Sequence, residues 1–427
     1  MRCNIARNAA NRLTVRIELV EMQASTGSAR TEQHFLPFAV MSAAYYGHIG
    51  FFNPYLPLWL KDLGLPIFTI SILTSIQAWT RLFAPYAWGW LADTTGERIK
   101  ILRYSSVVAL LTSLGFLWQS AIESSLVWLV LVLLLMFTHT SSMIPMTEAA
   151  MVHLVSPTGA LDAKRYGRIR VWGSIGFLVM VFASGAWFER FSIKHFPYWT
   201  IASLAVVMLA IWWLPNLKEA APIHKGKQGE KPLILPIAPI LPILRLPEVR
   251  WFFVSQFFHV LAHMSIYIFL SLYLDELGYS KTFIGLMWAL SIVMEIAWFY
   301  TQGRWIPKLS LRKWLLVTAA VMVLRMTMMA GAPQYVLVLF AAQCLHALTF
   351  TAHHTVCIAL VSHHFPGNLR GRGQALFTSI GYGFTGVTAG LAGGWLSTHF
   401  GLQSVFWASA VCAVLAMLAA WKTLKQT

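Results

Sequence analysis

The sequence predicts an all-α membrane protein of twelve transmembrane helices in two pseudo-symmetric six-helix bundles. Three observations lead there. Of 427 residues, 57% are hydrophobic and 11% charged, too few polar groups to coat a soluble core of that size. The apolar residues fall in blocks of about 20, the length of a helix that crosses a bilayer. A stretch rich in Pro and Lys, residues 215–249, divides those blocks into two groups of six. In lipid a span must satisfy its own backbone hydrogen bonds, which makes each one a helix. The alternation of a β-barrel is absent.

The expected spans are 35–60, 68–92, 99–118, 125–153, 165–188, 197–214, 250–274, 282–303, 314–331, 335–361, 374–398 and 402–421. They define a tail (1–33), an N-terminal bundle (34–214), a linker (215–249) and a C-terminal bundle (250–427). The tail is Arg-rich and lacks the apolar core of a secretory signal, so it is expected to be a disordered cytoplasmic segment. With both termini cytoplasmic, the cytoplasmic segments hold 25 of the 32 Lys and Arg, the external ones four, and the spans three. That bias is the positive-inside signal of an inner, plasma-type membrane protein. It accounts for the formal charge of +16 without nucleic acid as a partner. Cys3, Cys344, Cys357 and Cys412 show no CxxC or Cys/His zinc spacing, so neither metal nor cofactor is expected.

The halves echo each other. An interval of 214 residues lays Gly89 on Gly303, Arg98 on Arg312 and Arg81 on Glu295. "SIGF" (174–177) and "SIGY" (379–382) stand near the start of each fifth span. Parallel repeats of this kind place a small-molecule site at their interface, near mid-membrane.

The stretch "GWLADTTGERIK" (89–100) joins spans 2 and 3. Gly89 suits close helix approach, Gly96 a tight turn, Asp93 a cap or cross-helix pair, and Arg98 a headgroup anchor. Gly89, Asp93, Gly96 and Arg98 match the G-x-x-x-D-x-x-G-x-R pattern, and here the chain resembles the major facilitator superfamily. The resemblance implies that this motif is a cytoplasmic latch between conformations and does not bind substrate. The copy "GRWIPKLSLRK" lacks the Asp. "NPYLPLWLKDLGL" (53–65), "GRIRVWGSIGF" (167–177), "GYSKTFIGLMWALSIVMEI" (278–296) and "LHALTFTAHH" (345–354) are similar to the 3-phenylpropionate permease branch of that superfamily, itself distantly similar to lactose and nucleoside proton symporters.

A charge at mid-span costs about 2.5–3.5 kcal/mol on insertion scales and calls for a partner or a role. Glu295 and Arg325 are equidistant from their connecting loop, so they share a depth and are expected to pair. The pair is either a static brace or a protonatable carboxylate whose partner changes during transport. Glu148 and Arg170 match in depth likewise, as a brace or a cytoplasmic gate. Arg81 has no carboxylate at its depth on neighbouring spans. It either receives an anion, whose carboxylate its planar fork suits, or pairs with Glu295 or Glu148. His259, His263 and Tyr267 share one face of span 7, and His346 and His353, seven apart, one face of span 10. These imidazoles either bond between helices or carry protons and substrate. The branch resemblance favours the second role for His263 and His346. Tyr45, His48 and Asn53 are further candidates for a polar lining.

No Walker A loop, GxSxG or HExxH motif is present, so neither an ATP-driven pump nor an enzyme is predicted. The reading is a monomeric secondary transporter, coupled to protons and carrying a small organic anion such as an aromatic carboxylate. A sugar or nucleoside proton symporter is the alternative within transport, and a non-transporting membrane receptor the alternative outside it.

Overall fold

The computed structural model describes residues 35–155, 163–216, 240–366 and 369–424. The tail, most of the linker and the side chains of Asp93, Arg165 and Arg168 lie outside the described residues. Every regular element described is helical. Among the described residues eleven helices are long and apolar enough to cross a membrane: α1 Phe35–Asp62, α2 Ile67–Ala92, α3 Arg98–Leu117, α4 Leu126–Glu148, α5 Ile169–Arg190, α6 Ile193–Trp213, α7 Pro247–Glu276, α8 Lys281–Lys308, α9 Leu311–Gly331, α10 Val336–His364 and, last of them, Leu402–Leu424. Where a further span is expected at 374–398, the chain runs helically through Arg370–Thr378, Ser379–Phe384 and Thr385–Phe400. This run is α11, and Leu402–Leu424 is α12. The middle piece of α11 is π-helical, as is Ala347–Ala352 within α10. Such widened turns occur often at functional sites, and both line the cavity described below.

The repeat is visible in the backbone. Gly64 and Gly278 close the first helix of each half with φ of 79° and 83°, left-handed values that glycine adopts without steric cost. Lys61 and Asp275, separated by the same 214 residues, meet at 2.6 Å. Equivalent positions of two repeats meet only near the axis that relates them. The correspondence drifts further along the chain. Arg103, early in α3, donates to Leu214 O at 2.9 Å, and Arg312, early in α9, donates to Thr423 O at 3.2 Å; each reaches 111 residues onward. Both guanidiniums sit at the negative C-terminal end of the sixth helix of their half. By contact the counterpart of Arg312 is therefore Arg103, not the Arg98 expected from sequence alignment.

Across the halves α5 packs along α8 and α2 along α11. A Cβ at Gly285 would lie 2.7 Å from Val181 O, and one at Gly390 would lie 2.5 Å from Ser75 Cβ, so only glycine allows these approaches. The contacts gather at the end carrying Gly64 and Gly278. There Lys61 pairs with Asp275, Tyr55 Oη donates to Lys281 O at 3.0 Å, and Lys281 N donates to Glu189 Oε2 at 2.7 Å. At the opposite end a Cβ at Gly89 or Gly303 would meet nothing within 4 Å. The close approach expected at Gly89 is not made in this conformation. Gly96 ends the α2 helix with φ 68°, its N–H bonded to Ala92 O.

Lys61–Asp275 is a part-exposed pair of the kind worth about 0.2–1 kcal/mol. Lys61→Asp should shift the population toward opening of this end by up to about fivefold, and adding Asp275→Lys should restore closure. Labelling of a Thr74→Cys probe by an impermeant thiol reagent applied from that side reads the shift.

Candidate functional site

A cavity of about 340 Å³ lies between the halves, at the small end of the range for small-molecule sites. Residues of α1, α2, α4, α5, α7, α8, α10 and α11 line it. Aromatic rings from both halves form part of its wall, among them Tyr46, Phe137, Phe177, Tyr267, Trp288 and Phe350. Its charged groups are Arg81, Arg170 and Glu295, with His346 beside them.

Arg81 makes no hydrogen bond or ion pair among the described residues. Arg170 is held from two sides: its Nε is 3.8 Å from Glu148 Oε1, and its guanidinium lies 4.1 Å over the Tyr46 ring. Asn53 Oδ1 accepts from Gln77 Nε2 at 3.4 Å, which places two amides on one wall.

The expected direct pairing of Glu295 with Arg325 is not made. Matched depth brings them to one layer, but α10 packs against both α8 and α9 and stands between them. Arg325 is fully buried. It donates through Nη1 to Thr349 Oγ1 at 2.8 Å and through Nη2 to Gln343 Oε1 at 2.7 Å, and its Nη1 lies 3.3 Å from His346 Nδ1. Ser291 also donates to Gln343 Oε1, at 2.8 Å. Arginine has no acceptor, so His346 Nδ1 must accept and its proton sits on Nε2. That nitrogen faces Glu295 Oε2 at 3.8 Å. The layer is thus ordered Arg325, His346, Glu295, with the carboxylate at the cavity wall. A proton added to His346 would have to go to Nδ1, against Arg325; one added to Glu295 meets no such conflict.

Other expected residues divide by helix face. On α1 the cavity face carries Tyr46, Ile49, Asn53 and Leu56, at helical spacing. Tyr45 and His48 point away from it. Tyr45 Oη donates to Thr140 O at 2.9 Å, and His48 Nδ1 pairs with Ser203 Oγ at 2.8 Å. Both are corrections to the expected polar lining, and Tyr46 stands in their place. Tyr267 and His346 line the cavity; His263 lies behind it, its ring 5.3 Å from His346 and 5.4 Å from Phe350. His346 and His353 share a face of α10: His346 meets His263 on α7 and Arg325 on α9, and His353 meets His259 on α7 and Thr318 on α9, with the π-turn Ala347–Ala352 between them. Sequence reasoning missed Gln77, Trp288, Gln343 and Tyr382. Gln77 and Gln343 are uncharged polar groups inside spans, a signal weaker than a charge but of the same kind.

An all-helical membrane protein with a charged, aromatic cavity between two like halves has the architecture of a secondary transporter. The comparisons agree. The model of the MFS_1 like family matches residues 39–408, and the chain belongs to that family of membrane transporters; it is not an enzyme. It is 26% identical over 374 residues to a probable 3-phenylpropionic acid transporter of Escherichia coli (strain K12), covering 87% of this chain and 93% of the relative. It is 24% identical over 352 residues to the maltose permease of Geobacillus stearothermophilus, covering 82% and 84%. Among solved structures, the nucleoside transporter NupG superposes with a TM-score of 0.75 at 16% identity, over 92% of this chain and 99% of that one. The xylose transporter XylE of E. coli superposes with a TM-score of 0.68 at 14% identity, over 92% and 96%. These two share the fold.

His346→Gln should disturb the layer less than His346→Leu, because the Gln amide offers an oxygen to Arg325 and an NH₂ to Glu295. Leucine removes both the acceptor beside Arg325 Nη1 and the donor facing Glu295, and should lower stability by about 1–3 kcal/mol more. Thermal unfolding of the two purified variants in one detergent compares them; equal losses would contradict the assigned hydrogen-bond order.

Proposed function

We propose that this protein is a proton-coupled symporter that takes up small aromatic carboxylates across the inner membrane, as a monomer with both termini cytoplasmic. The observation that carries the reading is Arg81: a cation without a hydrogen-bond or ion-pair partner among the described residues, set in a cavity lined by aromatic rings. A guanidinium inside a membrane protein calls for acceptors or a counter-charge; Arg325 has neutral acceptors, Arg81 has none among the described residues, and its fork matches a carboxylate in bidentate geometry. The substrate's ring then lies against Phe177, Tyr267, Trp288 and Phe350, where ring contacts add to apolar burial. Asn53 supports the same wall. The relative named for 3-phenylpropionic acid agrees with this chemistry.

Glu295 carries the coupling proton in this reading. Loaded with both substrate and proton, the cavity balances Arg81 against the carboxylate and neutralises Glu295, so the halves can rock around it without an added charge. Residues 34–214 and 250–427 are the rocking units and 215–249 their tether. With the termini cytoplasmic, the end sealed by Lys61 and Asp275 is external. The turn with Gly89, Asp93, Gly96 and Arg98 belongs to the opposite, cytoplasmic end, where it governs the conformational step. The amides of Asn53 and Gln77 support a second reading, a sugar or nucleoside symporter, for which hydroxyl groups are the ligands.

Purified protein in proteoliposomes should accumulate 3-phenylpropionate when the outside is made acid, and an uncoupler should abolish the accumulation. Arg81→Gln should raise the KM for the carboxylate roughly 10- to 100-fold, the value of a charged hydrogen-bond pair, and leave the protein folded. Accumulation of maltose or uridine in preference to the carboxylate would transfer the reading to the second class. Glu295→Gln should retain counterflow while losing uphill uptake; uphill uptake at the unmutated level would remove Glu295 from the coupling.

A further inference from the structure

Behind the cavity wall, the interior of the C-terminal half holds three imidazoles that neither substrate contact nor the Arg325 layer uses. His259 and His353 stack face to face, ring centroids 3.5 Å apart and planes 7° from parallel. His263 lies one turn along α7 from His259, against His346 and Tyr267. All three are buried.

Their hydrogen bonds fix which nitrogens are bare. His259 Nε2 lies 2.7 Å from Thr349 O, which only accepts, so its proton is on Nε2 and Nδ1 is a buried lone pair with no partner among the described residues. Thr318 Oγ1 donates to Leu315 O at 3.1 Å, so it accepts from His353 Nδ1 at 3.2 Å; His353 Nε2 then accepts from Cys357 Sγ at 3.3 Å. His263 has no partner at either nitrogen among the described residues. Gln256 Oε1, Arg325 Nε and Thr351 Oγ1, also in this half, are buried and unpartnered among the described residues. Buried polar atoms without protein partners call for another partner, since leaving one unpaired costs about 1–3 kcal/mol. Polar pockets of this kind hold internal water.

We propose that His263 and the stacked pair His259–His353 form a second proton-binding site, reached from Glu295 past His346 by internal water and closed to the substrate. The proposal rests on the proton-coupled reading. The proton leaving the Glu295 carboxyl adds to a bare imidazole nitrogen, at His263 or at His259 Nδ1, and the carboxylate it leaves is the counter-charge. The facing groups set the balance. Arg325 on α9 opposes a positive charge here and Glu295 on α8 favours it. Tyr267 on α7, His346, His354 and Cys357 on α10, and Tyr382 on α11 complete the titratable surroundings. Parallel rings 3.5 Å apart accept one proton and not two, because two like charges at that spacing repel strongly. Beyond Cys357, Val356, Leu360, Val361 and Phe365 form a buried apolar layer. The site therefore stops short of the end of the molecule in this conformation, as it must if protons are not to leak without substrate.

His259→Gln keeps a donor for Thr349 O and removes the basic nitrogen; His353→Asn removes the other ring. Each is placed in proteoliposomes at matched protein level and tested with 3-phenylpropionate. The site predicts counterflow within about twofold of the unmutated rate, uphill uptake in a pH gradient reduced at least tenfold, and loss of substrate-induced alkalinisation recorded with a pH dye. Unchanged uphill uptake in both variants would overturn the site and leave the coupled reading standing. Joint loss of counterflow and uphill uptake would overturn it too, by making the histidines a brace between α7 and α10. An unmutated protein that transports the carboxylate but ignores the pH gradient would overturn the coupled reading and this site together.

Discussion

Charge carried into the membrane organises this protein. Each buried ionic group must find a partner or cost stability, and three groups solve the problem in three ways. Arg325 takes neutral acceptors, Thr349, Gln343 and His346, and no carboxylate. Glu295 takes the far side of His346. Arg81 takes no hydrogen bond or ion pair from the described residues. The first two form one ordered layer through α8, α9 and α10. The third is left facing the cavity, and that vacancy in the charge balance is what a substrate anion fills in the proposed function.

The second constraint is the pairing of two like halves. Parallel repeats bring equivalent positions together on their axis, and Lys61 with Asp275 is such a contact, made complementary by opposite charge. Around it, glycines on α8 and α11 let helices of opposite halves touch. No comparable approach is made at Gly89 or Gly303. The two ends therefore differ in this conformation although the halves are alike, and a transporter needs that inequality: the sealed end must be able to open as the other closes.

Much of this was legible in the sequence. Span positions followed from blocks of apolar residues, and the two halves from the linker and the repeated glycines. Arg81, Glu295, Tyr267, His346 and Asn53 were recognised as intramembrane polar groups, and all five line the cavity. What the sequence could not supply was rotation about each helix axis. Depth follows from counting at about 1.5 Å per residue; azimuth does not. So Glu295 and Arg325 were placed at one level correctly and paired wrongly, and Tyr45 was chosen where its neighbour Tyr46 faces the cavity. His346 and His353 do share the face that their spacing of seven implies, yet only His346 reaches the cavity, and no residue in "ALTFTA" announces the π-turn between them. Arg103, not Arg98, answers to Arg312 because the repeat interval shortens after the second helix, which only the contacts reveal.

The claim on which the functional account depends is that Arg81 is completed by the substrate. A structure of the protein with 3-phenylpropionate bound tests it most directly. The account predicts both carboxylate oxygens at about 2.7–2.9 Å from the Arg81 guanidinium, the range of charge-assisted bonds, with the ring between Tyr267, Trp288 and Phe350. A ligand whose carboxylate engages Arg170 instead, or one that leaves Arg81 without an anion, would contradict it.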